Sequence, residues 1–297
     1  SVLSGILLSQ ENPLWMRYPA ISPDGNTIAF SYKGDIYKVS SAGGEAVALT
    51  QNPAYDFKPV WSPDGKTIAF ASNRYGNFDI YTISVKGGIP ERLTFYSGSE
   101  LPASFSPDGS KVIFNASIQD TPDNASFPSG VLSELYYVPV NGGRIRQILS
   151  TPAIDAIYSK DGSKIIYYDQ KGYEDEWRKH HTSSIARDVR LYDKQTGKHT
   201  ILTSYKGEDR SPVWSADESE IYYLSEQFGS FNVCKFKVSD PKNVTQISTF
   251  ENHPIRFLSI SDKDDLCFGY DGKIYLMKKG QEAEPVQIKI FADKKQK

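Results

Sequence analysis

The stretch Ser62-Pro63-Asp64-Gly65-Lys66-Thr67-Ile68-Ala69-Phe70 is a tight turn that runs into a strand. Proline presets φ at about −65° at the second turn position, aspartate hydrogen-bonds the local backbone, and glycine supplies a positive φ. Such a turn joins two antiparallel strands. Ile68 and Phe70 stand two residues apart and so share one face of the strand that follows. The same turn occurs as Ser22-Pro23-Asp24-Gly25 and Ser106-Pro107-Asp108-Gly109. Altered copies are Ser159-Lys160-Asp161-Gly162, Ser215-Ala216-Asp217-Glu218 and Ser261-Asp262-Lys263-Asp264. The paired residues after these turns are Ile28 and Phe30, Val112 and Phe114, Ile165 and Tyr167, Ile221 and Tyr223, and Leu266 and Phe268. The copies start 40, 44, 53, 56 and 46 residues apart, close to the roughly 40–50-residue period of a propeller blade.

Each copy carries three further strand signals. One strand precedes the turn, as in Pro59-Val60-Trp61 and Pro212-Val213-Trp214. A third strand reads Asp35-Ile36-Tyr37, Asp79-Ile80-Tyr81, Glu134-Leu135-Tyr136, Arg190-Leu191-Tyr192, Asn232-Val233-Cys234 and Lys273-Ile274-Tyr275. A second turn follows at Gly43-Gly44, Gly87-Gly88, Gly142-Gly143, Thr196-Gly197, Asp240-Pro241 and Gly280. The fourth strand closes at Ala48-Leu49-Thr50, Arg92-Leu93-Thr94, Gln147-Ile148-Leu149, Ile201-Leu202-Thr203 and Gln246-Ile247-Ser248. The pattern predicts an all-β chain, a six-bladed β-propeller of four-stranded antiparallel blades, because radially stacked sheets leave only short edges. The propeller is expected over residues 18–291, after an N-terminal arm (1–17) and before a polar, linker-like end (292–297). Pro285-Val286-Gln287-Ile288-Lys289-Ile290 is expected as the outer strand of blade 6. The ring is expected to close by packing blade 6 on blade 1, with no N-terminal strand completing the last blade.

Composition agrees with a β fold. Aromatics make up 13% of the 297 residues, with 19 Tyr and 15 Phe, and flat rings suit a pleated, half-buried surface. Lys and Arg number 34 against 36 Asp and Glu, so no basic excess points to a nucleic-acid partner. No stretch approaches the roughly 20 apolar residues of a membrane helix. Val2-Leu3-Ser4-Gly5-Ile6-Leu7-Leu8-Ser9 is short and apolar. It reads either as the tail of a secretory leader or remnant of a signal peptide, implying an exported, periplasmic protein, or as an ordinary arm, which leaves the cytoplasm open. Cys234 stands where other copies carry Tyr, and Cys267 takes the slot of Ala29 and Ala69. Both read as core fillers rather than a disulfide.

Two connections depart from the repeat. The loop between second and third strands is short at Lys33-Gly34 and Asp271-Gly272 but runs 115–133 in blade 3 and 169–187 in blade 4. Long loops on rigid scaffolds carry function. The first is rich in Gly, Pro, Ser and Asn. The second holds Glu174, Asp175, Glu176, Trp177, Arg178, Lys179, His180 and His181. A Trp and an Arg among mixed charges suit a docking surface, and these eight residues are the candidate binding site. Adjacent His180 and His181 point apart in an extended segment and lack metal-ligand spacing, so neither a metal nor a cofactor is expected. Ser183, Ser184, His181 and Asp188 are neighbours in sequence, which is not triad geometry. No catalytic residue is assigned.

Ser-Pro-Asp-Gly-x-x-Ile-Ala-Phe, then Asp-Ile-Tyr, Gly-Gly and Leu-Thr, resembles the propeller repeat of TolB and of tricorn-type proteases. Two stretches resemble tricorn-like proteins in particular: Pro13-Leu14-Trp15-Met16-Arg17-Tyr18-Pro19-Ala20-Ile21-Ser22 continuing to Tyr37, and Glu174 through Asp188. The resemblance runs from about Asn12 to Phe291. It implies the first, six-bladed propeller of a longer serine peptidase, followed there by a second propeller, a PDZ module and the protease core. The implied role is non-catalytic, binding or gating peptides and docking to the downstream domains of the same polypeptide, with a homo-oligomer of the full-length protein as a further expected partner. The alternative is a stand-alone TolB-like periplasmic propeller that binds a protein partner. The protease serine and histidine match no position in this chain.

Overall fold

One serine and one aspartate hold the turn between first and second strands in five of the six repeats. Ser62 Oγ donates to Asp64 Oδ1 at 2.6 Å and accepts from Thr67 N at 2.9 Å, while Asp64 Oδ1 accepts from Lys66 N at 3.1 Å. Ser106 and Asp108, Ser159 and Asp161, and Ser215 and Asp217 repeat the arrangement. Hydrogen bonds to the charged form favour ionisation. The serine hydroxyls and turn amides hold Asp108 and Asp161 at about 2, and the amide and hydroxyl of Ser219 do the same for Asp217, also at about 2. A depressed folded-state pKa gives stability that is present above the unfolded value near 4 and lost as pH falls toward 2. Asp108→Ala is therefore expected to lower stability at pH 7 and to cost clearly less at pH 2, measured by urea titration at both values.

The computed structural model describes residues 13–118, 132–172 and 182–291. They form six blades of four antiparallel strands, with no helix among them. The inner strands are Arg17–Ile21, Asp56–Trp61, Glu100–Phe105, Ala153–Tyr158, Asp209–Trp214 and Arg256–Ile260. Successive inner strands pack on one another around a central axis. Period-two alternation places Phe30, Phe70, Phe114, Tyr167, Tyr223 and Phe268 on equivalent second strands, and all six are fully buried. In four blades this ring stacks on the third-strand tyrosine: Phe30 on Tyr37 at 5.8 Å, Phe70 on Tyr81 and Phe114 on Tyr136 at 5.9 Å, and Phe268 on Tyr275 at 6.1 Å. The Leu-Thr ending also has a physical cause. Thr50, Thr94 and Thr203 Oγ1 and Ser248 Oγ accept from Ile36, Ile80, Val189 and Val233 N at 2.8–3.0 Å, tying the fourth strand back to the third. Cys234 and Cys267 are free and buried, and burial pushes both thiols up, Cys234 to about 12.

Ring closure differs from the expectation. The outer strand of blade 6 is Ala283–Pro285, paired antiparallel to Lys273–Met277. The chain then leaves blade 6, and Ile288–Ile290 pairs in parallel with Gly44–Ala48 as a fifth strand on blade 1. Gly43 permits this: a Cβ there would lie 2.6 Å from Gln287 O, and its φ is +89°. Gly44 N donates to that same carbonyl at 2.8 Å. Ile288 and Ile290 are buried with Met16, Phe30, Val39 and Ala46. The segment just before the first strand also touches blade 6, where Met16 N donates to Gly272 O at 3.1 Å, but Arg17–Ile21 pairs within blade 1. A smaller correction concerns blade 5. Its second turn is Val238-Ser239, and Asp240, read as part of that turn, already pairs with Lys237.

Candidate functional site

Each inner strand carries a bulge four residues before the turn serine. The positions are Tyr18, Lys58, Pro102, Asp155, Ser211 and Phe257. A bulge inserts one extra residue and re-aims a side chain. Five of the six sit at φ between +48° and +62° without being glycine; Pro102, whose ring fixes a negative φ, is the exception. Backbone strain of this kind clusters at functional sites. Inter-blade hydrogen bonds hold the strained segments: Lys58 N to Ser31 Oγ at 3.2 Å, Trp61 Nε1 to Ala20 O at 2.8 Å, and Ser104 Oγ to Ala156 O at 2.7 Å.

The bulges surround an axial cavity of about 630 Å³. It runs from Pro23, Pro63 and Pro107 on the turn face to Asn115, Gln170 and Arg187 on the opposite, loop face. Lys58 and Asp155 form an ion pair at 2.8 Å, in front of blade 3, with side chains 17% and 28% exposed. Pro102 is buried, and its strand lines the cavity through Leu101, Ala103 and Ser104 instead. On the other side Tyr18 lies 4.3 Å from Phe257 and 5.4 Å from Phe57, ring centre to ring centre. One half of the channel is thus narrowed by an ion pair and the other by aromatic rings.

The buried carboxylates that open the inner strands differ in their counter-charges. Asp56 pairs with Arg74 at 2.8 Å. The residues equivalent to Arg74 are Ile118 in blade 3 and Gln227 in blade 5. Burial accordingly pushes Glu100 and Asp209 each up to about 7, against the hydroxyls of Thr94, and of Ser225 and Thr203, which favour the charged forms.

The candidate residues Glu174, Asp175, Glu176, Trp177, Arg178, Lys179, His180 and His181 lie outside the described residues, as do 119–131 of the other long loop. Their stems are described. Asn115 and Ser133 from blade 3 and Gln170 and Arg187 from blade 4 line the same cavity. The blade 4 stem is stapled shut: Lys171 Nζ donates to Ala186 O at 2.6 Å and pairs with Asp188, and Asp169 accepts from Arg190 Nε at 2.6 Å. Ser183 Oγ accepts from Ile185 N at 3.0 Å, a turn-forming role. Among the described residues no three His, Cys, Asp or Glu side chains converge on a metal position, and no helix is long and apolar enough to cross a membrane.

Sequence reading missed the bulge ring. The available signal was a proline one residue later in Tyr18-Pro19, Lys58-Pro59 and Ser211-Pro212. It also missed a stack on the loop face. The Arg92 guanidinium lies 4.5 Å from the rings of both Tyr75 and Phe95, and is anchored to buried Asp79 at 2.9 Å. Those two rings are 69% and 71% exposed.

Fold and channel together define a six-bladed propeller whose distinctive chemistry lies on its axis and loop face. The chain belongs to the tricorn protease N-terminal β-propeller domain family, whose model matches residues 13–283. Among solved structures it is similar to the tricorn protease, at 20% identity and a TM-score of 0.78 over 96% of this chain and 27% of that one. It is also similar to TolB from Acinetobacter baumannii, at 22% identity and a TM-score of 0.61 over 82% of this chain and 56% of that one. A structure of the nidogen/laminin complex gives 12% identity and a TM-score of 0.62 over 90% of this chain and 98% of that one. At these identities the likenesses show the fold alone. The chain spans about a quarter of the length of the tricorn protease structure and just over half of the TolB structure. No curated protein sequence matches it.

Proposed function

We propose that this chain is the non-catalytic propeller of a tricorn-like serine peptidase, which binds or gates peptides along its axis and docks to other domains of the same polypeptide through its loop face. The observation that carries the reading is the axial cavity, narrowed by Lys58–Asp155 and by Tyr18 and Phe257 and opening between the stems of the two long loops. Family membership supports it. The exposed Tyr75–Arg92–Phe95 stack supports docking, because rigid aromatic and arginine side chains dominate association hot spots. An exported, periplasmic setting belongs to the same proposal.

The test compares variants of the loop face. Trp177→Ala and Arg92→Ala are each expected to weaken association with the remaining domains of the polypeptide by about 2 kcal/mol, roughly 30-fold, measured by titration calorimetry. The melting temperature of the Trp177 variant should stay nearly unchanged. Unfolding of that variant with unaltered association per folded molecule would make Trp177 part of the core and remove the loop from the docking surface.

A further inference from the structure

Five half-exposed aromatic rings form a continuous path from the rim of the loop face to the channel. Tyr55 and Phe78 stand at the rim of blade 2, 5.7 and 4.8 Å from Phe57. Phe57 leads to Tyr18 of blade 1, and Tyr18 to Phe257 of blade 6. The last three line the axial cavity. None of the five is buried, so none is a core residue. Tyr55 rests on Gly34, with a ring carbon 3.2 Å from where a Cβ would be. At its inner end the path meets the Lys58–Asp155 ion pair.

We infer that this path is a binding track for an extended peptide rich in proline and aromatic residues, entering from the loop face toward the Lys58–Asp155 pair. The inference rests on the peptide reading above and names the class of peptide. Aromatic-lined grooves take up extended, proline-containing segments, whose rigid backbone loses little entropy on binding. Steps of 4.3–5.7 Å between rings leave no residue of an extended chain far from an aromatic face. Ring faces carry negative quadrupole potential and so offer an anion no attraction of their own. Three of the five rings are phenylalanine, which offers no hydrogen bond to a sugar hydroxyl. At the inner end the ammonium and carboxylate supply a donor and an acceptor for chain amides.

The test uses the whole chain and two fluorescein-labelled, end-blocked octapeptides. One alternates proline and phenylalanine, and the other carries serine at every position. Anisotropy titration should show the first binding at least 10-fold more tightly. Phe57→Leu and Phe257→Leu should each weaken it at least 5-fold at unchanged melting temperature. Tyr55→Ala at the exposed rim should also weaken it, and decides the matter should an inner variant unfold. Equal binding of both peptides leaves the peptide reading intact and overturns the aromatic track. Binding of neither peptide overturns both. Preferential binding of a neutral oligosaccharide, lost in the same variants, overturns the inference in favour of a saccharide.

Discussion

Replacing Ile288 and Ile290 together by alanine is expected to lower the stability of the whole propeller by about 5 kcal/mol or more, since each buried Ile→Ala change typically costs about 2–5 kcal/mol. The pair is buried in the cluster shared by blades 6 and 1, and its strand is the covalent continuation of blade 6 hydrogen-bonded to blade 1. Losing it opens the ring at one seam. The melting temperature should fall by about 10 °C or more. Gly43→Ala should act in the same direction without touching either isoleucine, because its Cβ would strike Gln287 O and its φ of +89° disfavours alanine. Lys289, which points outward between the two isoleucines and is exposed, is the control: Lys289→Ala should leave the melting temperature within about 1 °C. Unchanged melting of the double alanine variant would mean that inter-blade packing alone closes the ring.

The second large effect is a pH dependence set by Glu100 and Asp209. Burial raises both carboxyls to about 7. An acid whose folded-state pKa is raised favours folding in its protonated form. The full contribution is present below the unfolded pKa near 4, declines as pH rises toward 7, and stays lost above it. The turn aspartates act oppositely below pH 4, so maximal stability is expected at about pH 4–5. Glu100→Gln and Asp209→Asn remove the ionisation. At about 1.4 kcal/mol per pH unit, and discounting for relaxation around the charge, each should stabilise the protein at pH 8 by roughly 2 kcal/mol and change little at pH 4.5. Denaturant titrations at the two values check this. Equal effects at both would place the two carboxyls outside the titration.

The propeller was legible because each repeat states its own local chemistry. Ser62 and Asp64 specify a turn within six residues, and Ile68 and Phe70 specify a buried face immediately after it. Closure was not legible. Val286, Ile288 and Ile290 alternate identically whether they extend blade 6 or cap blade 1. What decides between them is the bare backbone at Gly43-Gly44, more than two hundred residues away, which admits Gln287. The channel ring was hidden for another reason. Its six positions hold a tyrosine, a lysine, a proline, an aspartate, a serine and a phenylalanine, so no residue type recurs. Only their shared offset from the turn and the left-handed backbone of five of them unite them. Lys58 and Asp155 meet across 97 positions of sequence, beyond the reach of any local pattern. The charged, Trp-containing segment 174–181 stood out in the sequence, and its stem opens on the same cavity.

Photo-crosslinking tests most directly the claim that the axis of this propeller receives peptides without cutting them. The probe is the proline–phenylalanine octapeptide with one phenylalanine replaced by its benzoyl derivative, irradiated with the intact chain and mapped by mass spectrometry. The expected result is adducts on Tyr18, Phe57, Lys58 or Phe257, with the unreacted peptide recovered at its original mass. Adducts confined to outer-edge residues such as Val47 and Ile201, or recovery of a cleaved peptide, would contradict the account.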